Sequence, residues 1–375
     1  MSSLLFSPLG TGGLSLANRI VIPPMCQYSA TDGHATDWHL MHYGSLSHSG
    51  AGLLIMEATA VTPEGRISPH DLGIWSDGTA GTLARLVAAI RRYASMPLCL
   101  QLAHAGRKAS QYAPWQGDGV VPKEAGGWLP EAPSALQYNH GGAGGVVPKA
   151  MSGEDCGRIR EAFAHAARRA AQAGFDAVEV HMAHGYLLHE FLSPLSNERD
   201  DAYGGTPENR MRYPLEVFDA IRAALPANVA AGVRISGSDF TQGGWDLENS
   251  KVFAALLQEQ GCAYIHVSGG GLSERQSLSV GPGYQVAMAA GIKASLASSF
   301  AEPMPVAAVG LITQPELAES IVRSGQADLV AVGRAMLFDP RWPWRAAAAL
   351  GASVTAPPQY WRAAPYGSKN LFSPL

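Results

Sequence analysis

The chain has 375 residues, room for one large barrel or two domains of average size. Hydrophobic residues make up 47% and charged residues 15%, a balance that excludes disorder and fibre-forming repeats. With 27 basic against 31 acidic side chains the net charge is -4, which gives no electrostatic footprint for nucleic acid or an anionic membrane and points to a small-molecule partner.

Residues 1–10 lack the basic start and long apolar run of a secretory signal. The charge-free stretch 38–56 carries three His and three Ser, so it reads as a helix leading into a strand rather than a membrane span, and the protein is expected to be cytoplasmic. Cys26, Cys99, Cys156 and Cys262 share no paired spacing, which argues against a zinc site or iron–sulfur cluster on thiolates alone. Short apolar runs rich in Val, Ile and Leu recur at 19–23, 52–58, 97–103, 176–181, 229–235, 263–268, 305–309 and 328–333. Each is followed by a stretch with helical spacing. Helix punctuation supports the alternation: the periodic stretch 154–173 stops at Gly174, Thr206-Pro207-Glu208 reads as a cap with proline in the first turn, and Thr313-Gln314-Pro315-Glu316 repeats that device. Eight strand–helix pairs, with no glycine fingerprint after the first strand, predict one α/β domain over 1–375: a closed (β/α)8, or TIM, barrel. After the third strand, residues 104–153 are dense in Gly, Pro and Trp and are expected to form a lid insertion with a hairpin inside 128–147. The tail, 355–375, has no clear period and is expected to pack on a barrel end or at a subunit interface.

Barrels of this kind carry their active sites at the C-terminal ends of the strands, and there this sequence puts its polar and special residues. Strand one ends in Pro24-Met25-Cys26-Gln27-Tyr28, strand two in Glu57-Ala58, strand three in Gln101 with His104, Arg107 and Lys108 beyond. Strand four ends in His181 and leads to His184 and Tyr186, strand five ends in Arg234, and strand six runs into Ser268 and three glycines. Gly310 and Gly333 would let backbone N–H groups approach a phosphate, and Arg334 adds a fork of charged donors. With Arg234 and Gln101 turned into the mouth, a flavin mononucleotide fits, Arg234 stabilising the negative charge that develops on reduction. The two imidazoles admit three readings. They could be metal ligands, although Glu179 is expected to face away from the interior by alternation and Glu190 lies on a following helix. They could instead donate to a carbonyl or nitro oxygen while Tyr186 supplies a proton, or they could be structural.

These blocks resemble the Old Yellow Enzyme family of flavin-dependent ene-reductases, within it the bacterial class similar to xenobiotic reductases. The resemblance runs through Asn18-Arg19, residues 24–28, Glu57-Ala58, 101–108, 181–186, 197–205, Arg234 and 332–334. It implies non-covalent FMN reduced by NADPH or NADH, which leaves before an activated alkene enters the same pocket. By the same resemblance hydride passes from flavin N5 to the alkene, His181 and His184 hold the substrate oxygen, and Tyr186 protonates the neighbouring carbon. Cys26 would sit beside the flavin and tune its potential, and Tyr28 would line the substrate pocket. Pro24, Met25, Ala58, Gln101, Lys108, Arg234, Gly310, Gly333 and Arg334 would surround the cofactor. Trp361 and Arg362 would reach a neighbouring subunit's site, implying a homo-oligomer, dimer or tetramer. A dienoyl-CoA reductase is disfavoured by the isolated cysteines and the length. A metal-dependent barrel hydrolase on His181 and His184, or a barrel that binds flavin without turnover, are the other rivals.

Overall fold

The computed structural model describes residues 2–139, 144–368 and 370–373. Eight parallel strands close into a barrel: β1 (Ile20–Ile22), β2 (Leu53–Ala60), β3 (Leu98–Ala103), β4 (Ala177–Met182), β5 (Ala230–Ser236), β6 (Ile265–Ser268), β7 (Val306–Ala308) and β8 (Leu329–Ala331). Each of the eight apolar runs coincides with one of these strands, β2, β4 and β5 extending one or two residues beyond theirs, and β8 pairs with β1 through Val330 and Ile20 to seal the ring. The strands are buried on both faces, and the two faces do different work. Residues such as Leu54, Leu100, Val178, Val180, Val233 and Val267 point outward and pack against the helices. Their neighbours point inward, apolar at the base (Val21, Leu53, Ala177, Ala230, Leu329) and polar toward the mouth.

The outer ring consists of α1 (Asp37–Ser47), α2 (Asp77–Arg91), α3 (Gly153–Gln172), α4 (Pro207–Ala224), α5 (Leu247–Glu259), α6 (Val286–Ser299), α7 (Pro315–Arg323) and α8 (Trp342–Leu350). Side chains cap the orphan N–H groups of several: Ser76 of α2, Ser152 of α3, Thr206 of α4 and Asp246 of α5 each accept from the third residue onward. The Thr313–Glu316 device differs. Gln314 occupies the cap position of α7 without a side-chain bond, and the proline alone sets the first turn.

An antiparallel hairpin, Leu9–Thr11 with Leu14–Leu16, fills the base of the barrel. Its turn needs glycine: Gly12 has φ +52°, and a Cβ there would lie 2.3 Å from that of Ala263. Between β3 and α3, Glu131–Ala132 pairs with Lys149–Ala150 in parallel. Ion pairs from Lys149 and Arg158 to Glu131 and Asp155 tie this pair to the start of α3. Residues 140–143 of the expected hairpin lie outside the described residues. The tail pairs Val354–Thr355 with Phe372–Ser373 and packs on Trp344 and Ala347 of α8. Among the described residues, no helix is long and apolar enough to cross a membrane.

Candidate active site

At the mouth, where β1, β5, β6, β7 and β8 end, lies a cavity of about 330 Å³. Pro24, Met25, Arg234, Gly310, Gly333 and Arg334 line it together with His184 and Ser268. Gly310 holds φ +129°, and a Cβ there would press within 3.2 Å of Gln285. A Cβ on Gly333 would meet nothing closer than Pro23 at 3.5 Å and Met25 at 3.7 Å, so this glycine keeps the cavity wide rather than relieving a clash. Arg234 is buried, with its Nε lacking any protein partner. A glycine-edged rim with an arginine fork suits a phosphate, and an orphaned buried guanidinium suits an electron-accepting ring, so these residues fit FMN.

Beside the cavity, Cys26, Tyr28, Ala58 and Tyr186 gather with Ala103, Ala105 and Trp128 in an apolar cluster. Burial pushes the Cys26 thiol well above its usual range, which keeps it protonated and a poor nucleophile. Burial likewise raises the phenols of Tyr28 and Tyr186. His181 Nδ1 accepts the Ala183 N–H at 3.2 Å, and its Nε2 lies 3.4 Å from His184 Nδ1. The two rings stand perpendicular, and the Tyr186 ring centroid is 4.8 Å from that of His181. Burial, reinforced by Arg234, holds both imidazoles well below their usual range, hence neutral at physiological pH. Among the described residues no group of three or more His, Cys, Asp or Glu side chains is arranged to hold a metal ion.

The loop carrying this pair is tightly held. His184 has φ +59°, an uncommon conformation for a side chain of its size. Ser236 Oγ accepts its N–H at 2.9 Å, while Lys108 Nζ donates to its carbonyl at 2.9 Å and to that of Gly271 at 2.6 Å. Gly185 N–H donates to His189 Nδ1, whose Nε2 faces Asp239 at 2.9 Å. Lys108 therefore braces this loop and does not line the cavity; burial lowers its ammonium to about 8.

The expectation that Glu179 faces away from the interior is overturned. It lies two residues before His181 on β4, so alternation puts both on the inner face. There its carboxylate accepts from Gln101 Nε2 at 2.8 Å and Tyr264 OH at 3.3 Å, and faces His266 Nδ1 at 3.1 Å. Burial alone would raise its pKa, but His266, Arg234 and Gln101 outweigh it and hold the carboxyl below its usual range. Gln101, bonded to Glu179, and Ala58, in the apolar cluster, do not line the cavity. Trp361 and Arg362 lie in a turn, Pro358–Ala363, where Trp361 Nε1 donates to Ala356 O at 3.0 Å; neither lines the cavity of its own chain. Ser236, Ser268, Gln285 and Glu179 went unassigned by sequence reasoning, although the first, second and fourth sit two residues from Arg234, His266 and His181 on the same inward faces.

A mouth built this way is that of a barrel oxidoreductase whose redox group is a flavin. The chain belongs to the NADH:flavin oxidoreductase / NADH oxidase family, which it matches over residues 4–352, and within it to the Old Yellow Enzyme group. An NADPH dehydrogenase of Geobacillus thermodenitrificans (strain NG80-2) is 43% identical over 364 residues, 96% of this chain and 99% of that protein. Morphinone reductase in complex with tetrahydroNAD superposes with a TM-score of 0.74 at 28% identity, covering 98% of this chain and 97% of the other. The Old Yellow Enzyme homologue of Zymomonas mobilis gives 0.74 at 27% identity, with 94% of each chain covered. The protein is an NAD(P)H-dependent flavin oxidoreductase that uses FMN.

Proposed function

We propose that this enzyme reduces the activated C=C bond of α,β-unsaturated carbonyl compounds or nitroalkenes. FMN, which Arg234, Gly310, Gly333 and Arg334 would hold, would supply hydride chemistry with NADPH or NADH as the source of the electrons. The residues of the chain do the rest: His181 and His184 bind the carbonyl or nitro oxygen, and Tyr186 delivers a proton to the carbon next to the activating group. Hydride and proton together saturate the bond. The observation that carries this reading is the opposed pair of neutral imidazole nitrogens, 3.4 Å apart, with the Tyr186 ring against His181. Losing one donor to a developing oxyanion costs about 2.7–4 kcal/mol, so two would account for a large part of the selectivity for activated alkenes. Replacing His181 and His184 together by alanine should leave FMN binding largely intact while enone turnover falls by more than 100-fold. Turnover of cyclohexenone at the parent rate would refute the clamp.

The insertion 104–153 is read as the lid of this pocket, supported by Trp128, which packs against the same buried cluster as Cys26, Tyr28 and Tyr186 and donates Nε1–H to the Glu64 carbonyl at 2.8 Å. Trp361 and Arg362 are read as contributions to a neighbouring copy's pocket in a homo-oligomer. Light scattering should show that oligomer, and Arg362→Ala should raise the KM for enone; a monomer with parental KM would end that reading. A cytoplasmic setting suits the four free thiols.

A further inference from the structure

We infer that Ser268 and Gln285 are positioning residues that decide which nitrogen of His184 carries its proton, through a hydrogen-bond chain that starts at the main-chain N–H of Gly269. The inference rests on the reading of His181 and His184 as an oxygen clamp and supplies what that reading requires, namely two N–H groups directed at one point.

The polarity follows from groups that can only donate. Gly269 N–H lies 3.2 Å from the Gln285 amide and needs an acceptor there, so the Gln285 oxygen faces it and also accepts from Tyr284 OH at 3.0 Å. The amide nitrogen is thereby turned to the Val309 carbonyl at 3.3 Å. In this orientation the amide atom 3.5 Å from Ser268 Oγ is that nitrogen, a donor, which leaves the Ser268 hydroxyl to spend its own proton elsewhere. His184 Nε2 stands 2.8 Å from Ser268 Oγ and receives it. A neutral imidazole that accepts at Nε2 carries its proton on Nδ1, the atom facing His181.

His181 is fixed from the other side by the same logic. Ala183 N–H donates to its Nδ1, so the proton resides on Nε2, the atom facing His184. Two main-chain N–H groups, at Ala183 and Gly269, thereby set the N–H of His181 Nε2 against the N–H of His184 Nδ1, the two nitrogens 3.4 Å apart. Opposed donors leave each other unsatisfied, and an entering oxygen satisfies both. Without the chain through Ser268, the His184 proton is free to move to Nε2, and the clamp is reduced to one donor. Ser268 and Gln285 are both buried, so bulk water does not compete for these bonds.

The test uses the FMN-loaded protein with 15N-labelled histidine, reading tautomers from long-range proton–nitrogen spectra, together with titration of the oxidised holoenzyme with 2-cyclohexenone followed by flavin absorbance. The parent should show His184 as the Nδ1–H form. Ser268→Ala should move it toward Nε2–H and weaken enone binding by on the order of tenfold. Ser268→Thr, which keeps the hydroxyl, should restore both. Gln285→Glu offers Ser268 an acceptor in place of a donor and should reverse the chain, moving the proton to Nε2 with little change of shape. A parent His184 protonated on Nε2, or a tautomer indifferent to Ser268→Ala and Gln285→Glu, overturns the inference. Tautomers that shift as stated with enone affinity unchanged would leave the hydrogen-bond chain standing and overturn the oxygen clamp instead.

Discussion

Lys108 and His184 are joined side chain to main chain: Lys108 Nζ donates to the His184 carbonyl at 2.9 Å, fastening a residue held at φ +59°. Left-handed backbone at a bulky residue costs about 1–3 kcal/mol and persists only where its surroundings enforce it. Lys108→Met removes two charged hydrogen bonds at once, since the same ammonium also holds Gly271 O. We expect kcat/KM for enones to fall roughly 10- to 100-fold, in line with about 1.5–3 kcal/mol for bonds to a charged donor. The dissociation constant for FMN should stay within about twofold; equal losses of both would show that Lys108 serves the cofactor instead.

Tyr186→Phe separates the two half-reactions. The phenol is buried and raised above its usual range, so it remains protonated across the working pH range. Its loss should spare bleaching of the flavin by NADPH or NADH and slow reoxidation by cyclohexenone by about 100- to 10,000-fold. Anaerobic stopped-flow absorbance reads both steps. Reoxidation at the parent rate would assign the proton to another donor.

The pH dependence of stability is set in part by buried carboxyls. Burial raises Glu57 from 4.5 to about 8, and Glu190 likewise to about 8. Between these limits the native state binds more protons than the unfolded chain, so their contribution is present in acid and lost as pH rises toward 8. His181 and His184, lowered from 6.5, act in the opposite sense, but only below 6.5. In the window from 6.5 to 8, Tm should therefore decline in the parent and decline less in Glu57→Gln, measured by thermal denaturation of the holoenzyme. Identical slopes would show that Glu57 does not titrate there.

Arg334→Ala removes the charged fork from the cavity rim. Bonds to charged groups contribute about 1.5–3 kcal/mol, so FMN should bind roughly 10- to 100-fold more weakly. Fluorescence of released flavin on serial dilution measures this. Undiminished affinity would move the phosphate away from Arg334.

The barrel is readable from its sequence because each strand is buried on both faces, which leaves compact runs of branched apolar residues between capped helices. Strand ends such as Arg234, Gly310 and Gly333-Arg334 could be found because the fold fixes where polar residues must gather. The orientation of Glu179 turns on the phase of a single strand. A two-residue period places it with His181, and a charge amid an apolar run is easily taken to be facing outward. The parallel pairing of Glu131 with Lys149 is hidden because two-residue strands leave no pattern, and the ion pairs that hold it to Asp155 and Arg158 of α3 join residues that sequence does not bring together. The chain through Gln285 and Ser268 joins α6 to β6, and its polarity depends on one backbone N–H.

The hairpin turning at Gly12 stoppers the base with Leu14 and Leu16. With the base packed in this way, the reductant and the acceptor of the proposed reaction would both enter at the mouth, where the cavity lies, and an excess of either should then obstruct the other's access.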